Sequence, residues 1–184
     1  MKQPTVTIVV AARNEEEHIA RLLDSLLAQD CKQPFEVLVS DGASEDHTKH
    51  IVQTYARKHK HIHYILNTKR KQAHAWNDAI QRSKAPYIAI ISAHSQATRT
   101  WLSKSLQTIR EAPENVMAVG GKLLPANTRK PFLQAVNYAT STFWGAGLAT
   151  HRYATKTQYV DTVVFGLYKK IVFGAVGDFD TALD

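Results

Sequence analysis

Three features of this sequence predict an α/β fold with a mainly parallel sheet covered by helices. Short β-branched runs alternate with segments of period 3.6. Four such strand–helix pairs follow one another between Thr5 and Ile109. Polar or turn-forming stretches separate the members of each pair, the clearest being Asp41-Gly42-Ala43-Ser44-Glu45-Asp46.

The elements follow in order. Thr5 to Val10 is a β-branched run and reads as a buried strand. Ile19, Leu22, Leu23, Leu26 and Leu27 then share one helical face. Asn14, with Glu17 three residues on, predicts a capping box at the start of that helix. Phe35 to Val39 is a second strand, followed by a helix marked by Ile51, Val52 and Tyr55. Ile62 to Leu66 is a third strand, and Ala73, Trp76, Ala79 and Ile80 mark the next helix. Tyr87 to Ile91 is a fourth strand, followed by a helix carrying Trp101, Leu102, Leu106 and Ile109. Val116 to Val119 makes a fifth strand, closed by Gly120-Gly121. Beyond Pro125 the alternation stops. Pro131 to Trp144 reads as a helix with Phe132, Ala135, Val136 and Ala139 inward, Gly145 to Gln158 as loop, and Val163 to Tyr168 as a strand.

Composition narrows the function classes. The 184 residues are 44% apolar and 21% charged, as in ordinary soluble domains with a real core. No run approaches the roughly 18 apolar residues of a membrane span, and Met1 to Pro4 lacks the order of a signal peptide. Cytoplasmic placement is the expectation. The single cysteine, Cys31, excludes an internal disulfide and a cysteine-based zinc site. A net charge of +7 suits phosphate, nucleic acid or an anionic surface. No pattern of clustered aromatic and basic residues on a strand supports nucleic acid. No glycine-rich dinucleotide fingerprint follows the first strand, and there is no P-loop, which argues against hydride transfer and P-loop hydrolysis.

Ligands of parallel sheets sit beyond the carboxyl ends of strands, so the strand tips are the candidates. After the first strand, Ala11-Ala12-Arg13-Asn14-Glu15 sets small residues beside a flat cation and a carboxylate. Small residues let a base approach the backbone, and a carboxylate accepts ribose hydroxyls. The same stretch also reads as a plain helix start with acids favouring the dipole. Asp41 at the second tip either accepts from a base imino group or braces the turn. Lys69-Arg70-Lys71 at the third tip suits a diphosphate, with an exposed turn as the plainer reading.

The order strand, Ala11-Ala12-Arg13-Asn14-Glu15-Glu16, helix, strand, Ser40-Asp41-Gly42, helix, Asn67, basic turn, Ala75-Trp76-Asn77, strand, Ser92-Ala93-His94 resembles family 2 glycosyltransferases of the GT-A fold. Asp161-Thr162, Gly166 to Lys170 and Gly177-Asp178-Phe179-Asp180 resemble the bacterial exopolysaccharide branch, of succinoglycan type. The resemblance implies a Rossmann-like three-layer α/β/α sandwich forming a single domain over residues 1–184. Residues 1–121 would hold a nucleotide-diphosphate sugar, often UDP-linked, and 122–184 would begin the acceptor part. It implies an inverting transferase acting on a saccharide or lipid-linked acceptor in cell-surface or exopolysaccharide synthesis. A catalytically inactive binding relative is the alternative. Ala11, Arg13 and Glu15 would border base and ribose, Asp41 would contact the base, and Lys71 would lie near the nucleotide. Asn77 would brace the site or bond to local backbone.

Two departures stand out against that resemblance. Family members carry an Asp-x-Asp type motif whose acids hold a divalent metal, Mn2+ or Mg2+, against the diphosphate; here Ser92-Ala93-His94 stands in its place. His94 is the candidate metal ligand, or it hydrogen-bonds phosphate directly, and an imidazole suits manganese better than magnesium. The catalytic base is expected in an acidic cluster past the Gly177–Asp180 segment, beyond Asp184. Asp161 is a candidate acceptor-side group. Any membrane association, at the inner face of the cell membrane, is expected through a part beyond the C-terminus.

Overall fold

The computed structural model describes residues 3–124, 129–147, 149–160 and 162–182. Two compact units divide the chain: Met1–Val119 with Leu167–Asp184, and Gly120–Gly166.

The first unit holds one six-stranded sheet in the order β3-β2-β1-β4-β6-β5. β1 (Val6–Ala12), β2 (Phe35–Asp41), β3 (Ile62–Leu66) and β4 (Tyr87–Ile90) run parallel. β6 (Leu167–Lys169) is antiparallel to β4 and to β5 (Ala118–Val119). Successive strand residues face opposite sides of a sheet. Val6, Thr7, Ile8, Val9 and Val10 are all fully buried, so both faces of β1 are covered, as the continuous apolar run requires. On one face Val9, Leu38 and Ile88 pack with Ala79 and Ile80 of α3 (Gln72–Arg82). The other helices of this unit are α1 (Ile19–Leu27), α2 (Thr48–Lys58), α4 (Trp101–Glu111) and α7 (Ile171–Val176). α1 buries Ile19, Leu22, Leu23 and Leu26, the apolar stripe its sequence predicts. α4 buries Leu102, Leu106 and Ile109.

Several boundaries depart from the sequence reading. No capping box forms: the helix begins at Ile19, and its cap position, His18, makes no side-chain bond. Asn14 instead adopts a left-handed backbone (φ 55°), and its side-chain oxygen accepts from Glu45 N at 2.9 Å. A cross-loop partner wins over the local one. β5 shortens to two residues because Val116 N is used in a turn to Pro113 O (3.0 Å). The last strand starts at Leu167, after Phe165 takes a positive φ of 49°.

In the second unit the stretch read as one helix is two, α5 (Pro131–Thr140) and α6 (Phe143–Ala146). Ser141 and Thr142 bond back to Asn137 and Ala139 and end the first helix. Gly145 permits this bend, since a Cβ there would lie 2.0 Å from Ala139 O. The expected inward face of α5 is exposed, and the helix buries no residue. The loop read over 145–158 contains a 3-10 turn, Thr150–Arg152.

Candidate functional site

Strand order reverses its direction of growth between β1 and β4, and a cleft opens there at the carboxyl ends of the parallel strands. Ala11 lines it from the end of β1, Arg13 and Glu15 from the loop after it, Lys71 from the turn before α3, and Ser92 and His94 from the segment after β4. Six of the sequence candidates are thus brought together. Its volume, about 160 Å3, falls below the roughly 300–1,000 Å3 of pockets that enclose a whole ligand. It suits one portion of an extended molecule.

Two loops that form the rim are laced to each other through their backbones. Asn14 N donates to Ser44 Oγ (2.9 Å), Glu15 N to Thr48 Oγ1 (2.8 Å) and Glu16 N to Asp46 Oδ2 (3.0 Å). In return Glu45 N donates to the Asn14 side chain, and His47 N to Glu16 Oε2 at 2.8 Å. Burial alone would push the Asp46 carboxyl up, but hydrogen bonds from Thr48 and the Glu16 amide outweigh it and hold it below the ordinary value. The lacing leaves the Glu15 carboxylate to face the cleft. There Glu15 Oε1 lies 3.2 Å from His94 Nδ1, and Ser92 Oγ lies 3.1 Å from the same ring.

Asp41 does not line the cleft. It is fully buried, and its carboxylate is occupied: Oδ1 accepts from Ser44 N (3.0 Å) and Ser44 Oγ, and Oδ2 accepts from Tyr64 Oη (2.9 Å). Burial and this bond to Asp41 push the Tyr64 phenol up to about 12, from an ordinary 10.0. Since the folded phenol keeps its proton longer than the unfolded one, the stabilisation is complete below pH ~10 and is lost as pH rises toward 12. A spectrophotometric phenol titration should therefore lose one late-titrating tyrosine in Tyr64→Phe, with Tyr55, also raised to about 12 by burial and its bond to Asp24, remaining.

Asn77 also lies outside the cleft lining, and its partner is distant backbone, not local. Its amide donates to Phe179 O (2.8 Å) and accepts from Phe179 N (2.9 Å). The Phe179 ring packs in tilted contact with Trp76 (centroids 4.8 Å apart) and Phe173 (5.8 Å). Asn77 thus latches the Gly177–Asp180 segment to α3. Asn77→Ala should lower the unfolding free energy by about 2 kcal/mol in urea melts, because both Phe179 groups lose their partner. Asp161 and Asp184 lie outside the described residues.

Of the basic triplet and the small residues at the strand tips, the cleft takes only some. Arg70 joins Lys71, whereas Lys69 does not. Arg70 has a left-handed backbone (φ 61°), and Asn67 builds that turn, accepting from Lys69 N and donating to Lys71 O. The cationic triplet was legible; which members turn inward was not. Ser40 lines the cleft with its hydroxyl buried and without a hydrogen-bond partner among the described residues. Gly42 lets the rim close, since a Cβ there would sit 3.3 Å from Arg13 Cβ and 3.4 Å from Arg70 O.

A mainly parallel sheet with a polar, cation-lined cleft at its switch point is the architecture of doubly wound α/β proteins. The match extends further. The profile of glycosyl transferase family 2 covers residues 7–166, and the chain belongs to that family. It is 27% identical over 175 residues, 89% of its length, to the dolichyl N-acetyl-alpha-D-glucosaminyl phosphate 3-beta-D-2,3-diacetamido-2,3-dideoxy-beta-D-glucuronosyltransferase of Methanococcus voltae, spanning 52% of that protein. It is 25% identical to the succinoglycan biosynthesis protein ExoA of Rhizobium meliloti, over 94% of this chain and 52% of ExoA. The mannosyltransferase PcManGT of Pyrobaculum calidifontis, solved with GDP-Man and Mn2+, superposes with a TM-score of 0.66 at 26% identity, over 98% of this chain and 49% of that one. S. aureus TarS, residues 1–349 with UDP, superposes at 0.67 and 19% identity, which speaks for the fold; 94% of this chain and 48% of that one align. The fold is GT-A, as the sequence predicts, and the chain spans about half the length of these relatives. Among the described residues no helix is long and apolar enough to cross a membrane.

Proposed function

We propose that this chain forms the donor site of a glycosyltransferase that takes a sugar from a nucleotide-diphosphate sugar, UDP-linked, to a saccharide or lipid-linked acceptor in cell-surface or exopolysaccharide synthesis. The observation that carries the reading is the convergence of Arg13, Glu15, Arg70, Lys71, Ser92 and His94 on one cleft at the switch point. Arg13 and Glu15 border base and ribose, and the unpaired Ser40 hydroxyl offers a bond at the cleft wall. Arg70 and Lys71 balance the diphosphate charge. Asp41 acts by bracing the Gly42 turn, and Asn77 by latching the 177–180 segment. The acceptor side, Asp161 included, belongs with residues 122–184.

The donor set bears on a metal. Among the described residues no three His, Cys, Asp or Glu side chains stand together. One imidazole nitrogen and one carboxylate oxygen do, at His94 and Glu15. That pair fits manganese better than magnesium, with diphosphate oxygens and water completing the shell. The metal, when bound, would neutralise the diphosphate leaving group. Ser92, where the family has a carboxylate, favours the second reading, a nucleotide-sugar-binding relative without turnover.

Calorimetry with UDP, GDP and dTDP tests the proposal. Binding of at least one, tightened by Mn2+, is expected, and His94→Ala should remove the Mn2+ effect while leaving metal-free binding. A folded sample that binds none of the three would end the donor-site reading. Sugar-nucleotide hydrolysis separates the enzyme from the silent relative.

A further inference from the structure

We propose that the unit Gly120–Gly166 docks on an anionic lipid surface through α5, the basic pair before it and Trp144. Charge is the first ground. The chain has 16 acidic residues, yet none falls between Glu114 and Asp161. Over the unit, Lys122, Arg129, Lys130, Arg152 and Lys156 stand against Asp161 alone. A solvated face ordinarily mixes both signs, so the exclusion of acids over so long a stretch marks a surface that meets negative charge.

Apolar exposure on the same unit is the second ground. Phe132 is 77% exposed and Trp144 93%, and Leu133, Val136 and Tyr138 are exposed as well. α5 has ten residues and buries none of them. A helix shorter than about 12–15 residues is marginal in water by itself, so its apolar side chains need a cover. Arg129 and Lys130 precede it directly and are exposed. Phe132, Leu133 and Val136 lie at helical neighbour spacings. Exposed Phe, Leu and Trp beside cations are what a segment lying at a lipid interface presents. A protein partner of mixed surface charge would account for the apolar side chains but not for the missing acids. A lipid surface accounts for both. The docking surface itself does not depend on the donor reading.

Co-sedimentation with vesicles tests the idea. The chain should partition onto phosphatidylcholine vesicles containing phosphatidylglycerol, not onto phosphatidylcholine alone, and salt should weaken the partition. Arg129→Glu with Lys130→Glu should lower the partition about tenfold or more. Arg129→Gln with Lys130→Gln should lower it less, and circular dichroism should be unchanged in both, since these side chains are exposed. Brominated lipid should quench tryptophan fluorescence in the parent and much less in Trp144→Phe. Absence of partition onto either vesicle by a folded chain, or partition indifferent to the charge reversal, would overturn the proposal and assign the face to protein contact. Calorimetry with UDP on the same variants keeps this outcome distinct from the donor site's.

Discussion

Asp41→Ala will cost the chain about 3 kcal/mol of folding free energy, read as a lower urea midpoint at unchanged slope. The carboxylate is fully buried and accepts three bonds, two from Ser44 and one from Tyr64. Alanine leaves these partly buried donors without their acceptor, and the penalty for an unsatisfied group exceeds the net worth of the bond itself. Damage extends to the rim. Ser44 Oγ also accepts from Asn14 N, so losing Asp41 loosens the lacing that presents Glu15. Tyr64→Phe alone should cost about 1 kcal/mol, and the double variant less than the sum, because the phenol no longer seeks an acceptor. A parent-like midpoint for Asp41→Ala would refute the bracing role.

Replacing Arg70 and Lys71 together with alanine should weaken UDP binding roughly 10- to 100-fold and leave uridine binding unchanged. Each charge-assisted bond to phosphate contributes about 1.5–3 kcal/mol, which converts to that range when one is lost outright. Arg70 is half exposed and its ion pair to Glu45, at 3.6 Å, is solvent-screened, so folding stability should hold within about 0.5 kcal/mol. Isothermal titration of UDP and uridine side by side is the measurement. Equal losses for both ligands would mean that the turn supports the site's shape and does not contact phosphate. The effect should shrink at high salt, as expected of exposed cations meeting a diphosphate.

Legibility differed between the core and the site. The strands from Val6, Phe35, Ile62 and Tyr87 were readable because a β-branched run has few other low-energy homes. The helices were readable from their apolar stripes, and the departures fell at the first helix entry, at the two short strands β5 and β6, and in the second unit. Asn14 looks like a helix cap in any local reading. Its amide oxygen finds Glu45 N, 31 residues on, and the cap stays empty. α5 carries an inward-looking stripe that stays exposed, since periodicity reports that a face is apolar and not what covers it. At the cleft, Asp41 illustrates the same limit: the residue type fits a base contact and a turn brace equally, and only Tyr64 Oη, 23 residues away, decides between them.

By itself the sequence determined the α/β class, the succession of strands and helices along the chain and the list of strand tips where a nucleotide would be met. Those follow from local periodicity and the chemistry of short turns. Tertiary structure alone decided which tip residues share one cleft, that Glu15 meets His94 across 79 residues, and that Asn77 reaches Phe179 across 102. A polar side chain has several partners of similar worth, and the one it takes depends on which distant segment the packed sheet brings within about 3 Å.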